Sequence, residues 1–397
     1  MRVTDKAAFD QGVAGLQRLQ ASLNELQQQL ATGRQILRPS DDPLGASRTL
    51  EIQDSISRLD QFERNNELAT NRLRLKESSL ATTTEYLQRA RELALQAANA
   101  TQTNETRGFI AAELRGLLDG ILAVANTRDD GGQYLFGGFQ TGQTPFTRTA
   151  SGFQYNGDQG RREVQIGQSR RIVDAEPGDR IFGRLREGNG QITAAPAAAN
   201  TGTGVITINN GSRVASYDYE AYTIEFVAPD TFEVRDDGGA LVSTGPFSPD
   251  DNIEIGDLAF KIAGVPAAGD VFDVTPSAQT DVFTVLDNLA SALEAGSPNG
   301  ETTPQLQTAT DAGLAGLDQA LNTILGVRSE LGVRLSVAET ELDRSASTKL
   351  LLQEQLANLQ DLDYTAAISA LTQQTTALEA AQQSFVRIQG LSLFDLL

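Results

Sequence analysis

The side chains able to carry chemistry in this chain are almost all carboxylates. Adjacent pairs stand at Asp41-Asp42, Asp236-Asp237 and Asp250-Asp251, and a pair of this kind can supply an acid and a base. There is no Cys, His or Trp among the 397 residues. That excludes a Cys–His or Ser-His-Asp arrangement and a Cys/His zinc site. Each Asp pair also has a backbone explanation. Asp236-Asp237 precedes Gly238-Gly239 and Asp250-Asp251 follows Pro249, in turn-like surroundings where Asp bonds its own backbone. Asp41 or Asp42 can N-cap a helix whose first turn holds Pro43. Gly202-Thr203-Gly204 lacks the third Gly and the helix start of a nucleotide fingerprint, and no loop has the Asp spacing of a calcium site. The expectation is a non-enzyme with no catalytic, cofactor-binding or metal residues.

Charge and hydropathy narrow the partners. A formal net charge of −20 argues against nucleic acid. It fits a self-repelling subunit whose assembly is driven by apolar seams. No run of about 18 apolar residues is present, so no membrane insertion is expected. Met1-Arg2-Val3-Thr4-Asp5-Lys6 leads into no apolar stretch, which predicts no cleaved secretory signal.

The elements that would position any site are long helices. Residues 333–389 contain no Gly and no Pro, and their apolar residues recur at steps of three and four. Leu331, Leu335, Ala338 and Leu342 begin the stripe, and Leu352, Leu356 and Leu359 continue it. The phase slips near 361–364 and resumes as Ile368, Leu371, Leu378 and Phe385. Read as one helix, this segment would run roughly 85 Å. So long a helix with so thin a stripe needs equally long partners. Residues 5–32 carry a matching seam at Phe9, Leu16, Leu19, Leu23, Leu26 and Leu30, and Gly33 can end that helix. Residues 46–107 again lack Gly and Pro; Ile52, Ile56, Leu59, Leu73, Leu80, Leu87 and Ala94 mark a second helix ending near Asn99. A third carries Phe109, Leu114, Leu117, Leu118, Ile121, Leu122 and Val124, and closes at a turn cluster over 126–132.

Composition then changes. Eleven of the sixteen Phe and five of the seven Tyr lie between Tyr134 and Phe283, in runs broken by Gly, Asn, Asp and Pro. This predicts β-structure, with hairpin turns at 153–158, 208–211 and 234–239, and a linker at 188–204 into a separate β-domain. Tyr217, Tyr219 and Tyr222 could form a sugar platform, though strand packing explains them more simply. Residues 280–295 return to helix. The predicted fold class is therefore α+β: a long, coiled-coil-like helical rod built from both chain ends, with a β-rich domain inserted in the middle.

Five motifs in order extend this reading. They are 33–43 (Gly33, Arg34, then Pro39, Ser40, Asp41, Asp42 and Pro43), Asn126-Thr127-Arg128 with 132–138, Tyr155-Asn156-Gly157-Asp158 with 177–183, Asp361-Leu362-Asp363-Tyr364, and the Leu391–Leu397 ending. Together they resemble the hook–filament junction proteins of the flagellin superfamily, and Pro43 after the Asp pair stands where flagellins usually have Ala. The resemblance implies a self-assembling structural subunit, extracellular in the bacterial flagellum. Its partners would be further copies of itself, hook-associated protein 1 on the hook side and flagellin on the filament side. It would be exported unfolded by the flagellar type III apparatus, without a cleaved signal peptide and with an export chaperone. The expected division is 1–40 and 358–397 as terminal assembly helices, 41–185 and 281–357 as helical domain with a small β part, and 186–280 as an outer β-domain. The two terminal seams are the expected assembly contacts, ordering as neighbours supply burial. The alternative within the superfamily is flagellin itself, the bulk filament subunit.

Overall fold

The computed structural model describes residues 2–150, 152–208, 220–249, 251–255, 258–297 and 303–394. The chain forms two compact units, one from Met1–Arg64 with Thr340–Leu397 and one from Asn65–Glu339. Among the described residues six helices run through them: α1 (Arg2–Thr32), α2 (Pro43–Ala97), α3 (Asn104–Ala125), α4 (Val282–Ala295), α5 (Pro304–Gln360) and α6 (Tyr364–Phe394).

Unit 1 is helical, and local chemistry sets its boundaries. The α1 helix closes at Gly33, whose φ of 70° puts it in the left-handed region that glycine enters without a Cβ penalty. Asp42 caps α2: its Oδ1 accepts from Gly45 N at 2.9 Å while its carbonyl accepts from Ala46 N. The continuous helix expected across 333–389 is instead two. Its break, at 361–363, needs neither Gly nor Pro. Asp363 Oδ1 accepts from Thr365 N at 2.9 Å and Ala366 N at 3.1 Å, starting α6 afresh, and Leu362 N donates across to Gly33 O.

Unit 2 holds two apolar cores. In the first, Leu73, Leu80, Leu87 and Ala94 of α2 are fully buried, as their spacing predicts, against Leu114, Leu118 and Ile121 of α3 and Phe283, Leu286 and Leu293 of α4. Phe109, placed on the α3 stripe by spacing, is instead exposed. A Cβ on Gly316 of α5 would lie 2.8 Å from Val285, so the missing side chain admits α4. Short pairs flank this core: β1 (Phe146–Thr149) with β2 (Gly152–Tyr155), and β3 (Arg162–Gln165) with β4 (Arg171–Ala175).

The chain leaves for the second core through β5 (Leu185–Arg186) and β6 (Ile192–Pro196). It continues through β7 (Val205–Ile208), β8 (Tyr222–Ala228), β9 (Thr231–Asp236), β10 (Leu241–Pro246), β11 (Asn252–Ile255) and β12 (Leu258–Ala263). It returns through β13 (Val271–Pro276) and β14 (Gln279–Thr280). Outgoing and returning strands pair antiparallel, β6 with β13 and β5 with β14, which makes this region an insertion. A five-stranded sheet in the order β10-β9-β8-β13-β6 and a three-stranded sheet β11-β12-β7 enclose Ile224, Phe226, Val234, Phe260, Phe272 and Val274. Leu258, Phe260 and Ile262 of β12 are buried and the residues between them half-buried, the period-2 pattern of a strand with one covered face.

Two β-region expectations are corrected. The segment 188–204 is not merely a linker, because β6 lies within it; its Ala- and Thr-rich sequence takes strand form by pairing with β13. The turn expected at 153–158 does not join a hairpin, since β2 pairs back to β1 and β3 pairs forward to β4. Asn156 is held instead by Thr144 O and Thr147 Oγ1, and Asp158 Oδ1 binds the backbone N–H groups of Phe139 and Gly160. The turn at 234–239 does join β9 to β10, with Asp236 Oδ1 accepting from Ala240 N at 2.8 Å. The one at 208–211 runs outside the described residues, as do Tyr217, Tyr219 and Asp250.

Candidate assembly interface

In unit 1, α1 and α6 lie antiparallel. Phe9 meets Phe385 with ring centroids 5.2 Å apart, Ser22 meets Gln374, and Gly33 meets Leu362, so numbers rise in one helix as they fall in the other. Leu16, Leu19, Leu23, Leu26 and Leu30 are all half-buried along this pair, with Leu371, Leu378 and Phe385 opposite. None of the eight is fully covered. Phe9 retains 44% of its exposure. Ile368 does not join the inward stripe; it is 54% exposed and lines a shallow depression with Thr372, Thr376 and Ala380. The buried Ala367 takes the inward position beside it. Of the other alanines on α6, Ala370 and Ala381 turn partly inward, and Ala366, Ala377 and Ala380 are exposed.

The segment after α1 fastens this pair. Arg34 and Asp361 form an antiparallel bridge, with Gln35 N donating to Gln360 O at 2.8 Å and Leu362 N to Gly33 O at 3.0 Å. With its amide oxygen assigned toward the Arg34 guanidinium, Gln360 accepts from Nε at 3.1 Å. Pro39 is exposed, and the side chains around it serve the backbone: Asp41 Oδ2 accepts from Arg38 N at 2.8 Å, and Ser40 Oγ donates to Asp41 Oδ1. Asp41, Asp42 and Pro43 thus turn the chain from α1 into α2. Nearby, Lys349 of α5 pairs with Asp60 and Glu63 of α2 at 2.5 and 3.2 Å, and both carboxylates hold its ammonium above the usual lysine range.

The motif residues of 126–138, 155–158 and 177–183 lie in unit 2, and the last three of the Leu391–Leu397 ending lie outside the described residues. Asn126, at the end of α3, bonds both the N–H and the C=O of Phe146 at 2.9 Å, acting as a strand partner. Arg128 stacks 4.3 Å over the Tyr134 ring and donates to its hydroxyl. Phe136 O accepts from both Gly178 N and Tyr155 Oη, so two of the motifs meet at one carbonyl. Beside this knot is a cluster of buried charge. Glu176 Oε1 accepts from Arg161, Arg180 and Arg334 at 2.8–3.0 Å; burial opposes its ionisation, but those three cations hold its carboxyl below the usual range. Asp174 takes both arms of Arg162, and its carbonyl accepts from the buried Lys76 at 2.9 Å. Every one of these carboxylates is engaged by a structural cation. Among the described residues no group of three or more Asp or Glu is placed to hold a metal ion, and no helix is long and apolar enough to cross a membrane.

Comparison with known proteins decides the family. Residues 9–141 match the bacterial flagellin N-terminal helical region and residues 314–397 the C-terminal helical region. FlgL from Xanthomonas campestris shares 32% identity and a TM-score of 0.71, over 77% of this chain and 99% of that one. The Escherichia coli flagellar hook-associated protein 3 is 27% identical over 100% of this chain and 99% of its own length. The chain belongs to the flagellar hook-associated protein 3 family. The flagellar junction protein FlgL from Legionella pneumophila adds a TM-score of 0.69 at 27% identity, over 80% of this chain and all of that one. Filament proteins align less well: the 41 kDa core protein of Borreliella burgdorferi matches 27% of the chain, and flagellin A of Vibrio anguillarum matches 90% at 24% identity. The family's named members are structural components of the flagellum, and this chain is one of that group.

Residue spacing alone missed several contributors to the helix pair. Gly12, Ser22, Asp363 and Gln374 all sit at its contacts or its end. A heptad written through 367, 371, 374, 378, 381 and 385 would have exposed Gln374 as a polar residue in an apolar row.

Proposed function

We propose that this protein is the structural subunit of the zone joining the flagellar hook to the filament. The alignment to a flagellar hook-associated protein 3 over 100% of this chain carries this reading, because at 27% identity it spans the central β-rich region as well as the helical ends matched as flagellin regions. Hook-associated protein 1 is the proposed neighbour on the hook side and flagellin on the filament side. Export runs unfolded through the flagellar type III apparatus with a dedicated chaperone; a chain without Cys cannot cross-link on that route. The terminal segments 1–40 and 358–397 are the proposed assembly helices, 186–280 the outward β-domain, and the rest the body between them. Supporting the assembly role, the α1–α6 leucines are only half-buried within the chain, so neighbouring copies have apolar surface left to cover.

Copy number tests the function. Quantitative peptide analysis of sheared, purified flagella should find this chain as a trace component, present at about one-hundredth of the filament protein or less. Equal or greater abundance would make it the filament subunit and overturn the junction assignment.

A further inference from the structure

The α1–α6 seam has a register problem. Leu16, Leu23 and Leu30 repeat every seven residues, as do Leu371, Leu378 and Phe385 opposite. A slip of one heptad therefore sets leucine against leucine again, and apolar burial alone hardly distinguishes the two pairings. The α6 row nevertheless carries a polar residue. Gln374 occupies the row 367, 371, 374, 378, 381, 385, and its Nε2 donates to Ser22 Oγ across the pair at 3.1 Å. Its Oε1 is buried and meets no donor among the described residues. A buried amide half satisfied in this way costs stability, and an apolar residue would pack better.

We propose that Gln374 and Ser22 form the register key of the α1–α6 pair, giving up stability to fix one alignment. This deepens the assembly reading above and rests on it, because subunits that build one tube must present one alignment of their terminal helices. A slip one way sets Gln374 against Gly15, which has no side chain to bond. A slip the other way offers it Gln29, but carries Phe385 away from Gly12, where a Cβ would stand 3.0 Å from its ring, toward Arg18 and Leu19. Ser22–Gln374 thus opposes the first slip directly, and the small residue at Gly12 opposes the second. Leu371 and Leu378 supply adhesion without choosing a register.

Because the natural chain has no Cys, paired substitutions report register without background. Three full-length double variants, G12C/F385C, L19C/F385C and G12C/L378C, trap the native register and the two slips under mild oxidation. Each is made with Gln374 retained and with Gln374→Leu, and oxidised in flagella isolated from cells and as free chain. With Gln374, the 12–385 cross-link should dominate. With Gln374→Leu, the ratio of slipped to native cross-links should rise about tenfold, the change that one net hydrogen bond produces. Ser22→Ala should raise it in the same direction, which guards against a folding defect peculiar to position 374. An unchanged ratio in both variants overturns the register key. Slipped cross-links already abundant with Gln374 overturn it as well. Failure of the assembly reading looks different: the ratio responds in the free chain, while flagella incorporate native and slipped chains alike.

Discussion

At the scale of single residues, ionisable side chains serve the fold. Lys76 is the clearest case. Burial pushes its ammonium down to about 8, against the opposing pull of Asp174 and Glu176, while its Nζ donates to the Asp174 carbonyl. Between pH 8 and the ordinary lysine value of about 10.5, the unfolded chain holds a proton that the folded chain has released. Stability carried through Lys76 is therefore lowest below pH 8 and rises across that window. Compared with Lys76→Met, the native protein should gain up to about 3 kcal/mol between pH 7 and pH 10.5, read from urea midpoints of unit 2. A difference independent of pH would mean that the ammonium is not desolvated. Glu176 gives the same slope in a different window: its depressed pKa adds stability at neutral pH that is lost as pH falls through the acid range. Lys76 was not legible in the sequence, because nothing local distinguishes it from exposed lysines. The Asp41-Asp42 pair was legible, because capping depends on a few neighbouring residues whose order is written in the chain.

At the scale of elements, periodicity revealed what a helix buries and hid where it stops. The α2 stripe at Leu73, Leu80, Leu87 and Ala94 is fully buried, because a 3.6-residue period maps directly onto one covered face. The break between α5 and α6 shows in the sequence only as a phase slip, since Asp363 capping and a partner at Gly33 make it. The strand β6 was equally hidden, as its pairing partner β13 stands some eighty residues away. The helix seams also support a prediction. Leu23 is half-buried on α1, and an aspartate there would place an unpaired carboxylate in the seam. Leu23→Asp should lower incorporation into flagella by about two orders of magnitude, given a burial penalty of several kcal/mol. Near-ultraviolet dichroism from the unit 2 aromatics should be unchanged, because none of the residues in its two cores lies on α1. Normal incorporation would show that the seam is not an assembly contact.

At the scale of the molecule, the arrangement is economical in what it asks of each part. Both chain ends lie in one helical unit, and the β-rich insertion leaves and returns through adjacent antiparallel strands. That architecture could be read in the sequence, because Leu/Ala/Gln-rich helical ends and an aromatic, Gly-punctuated middle differ in composition as well as period. The pairing of the two β-sheets could not, since it depends on contacts between distant strands. In the proposed junction role, such a subunit would present one surface to the hook side and another to the filament. The most direct test is deletion of the gene, followed by electron microscopy of the cells and protein analysis of the medium. Bare hooks with intact flagellin shed into the medium are expected, and restoring the full-length gene should restore filaments. Normal filaments on the deletion strain would contradict the junction role, and bare hooks without any flagellin in the medium would make this chain the filament protein.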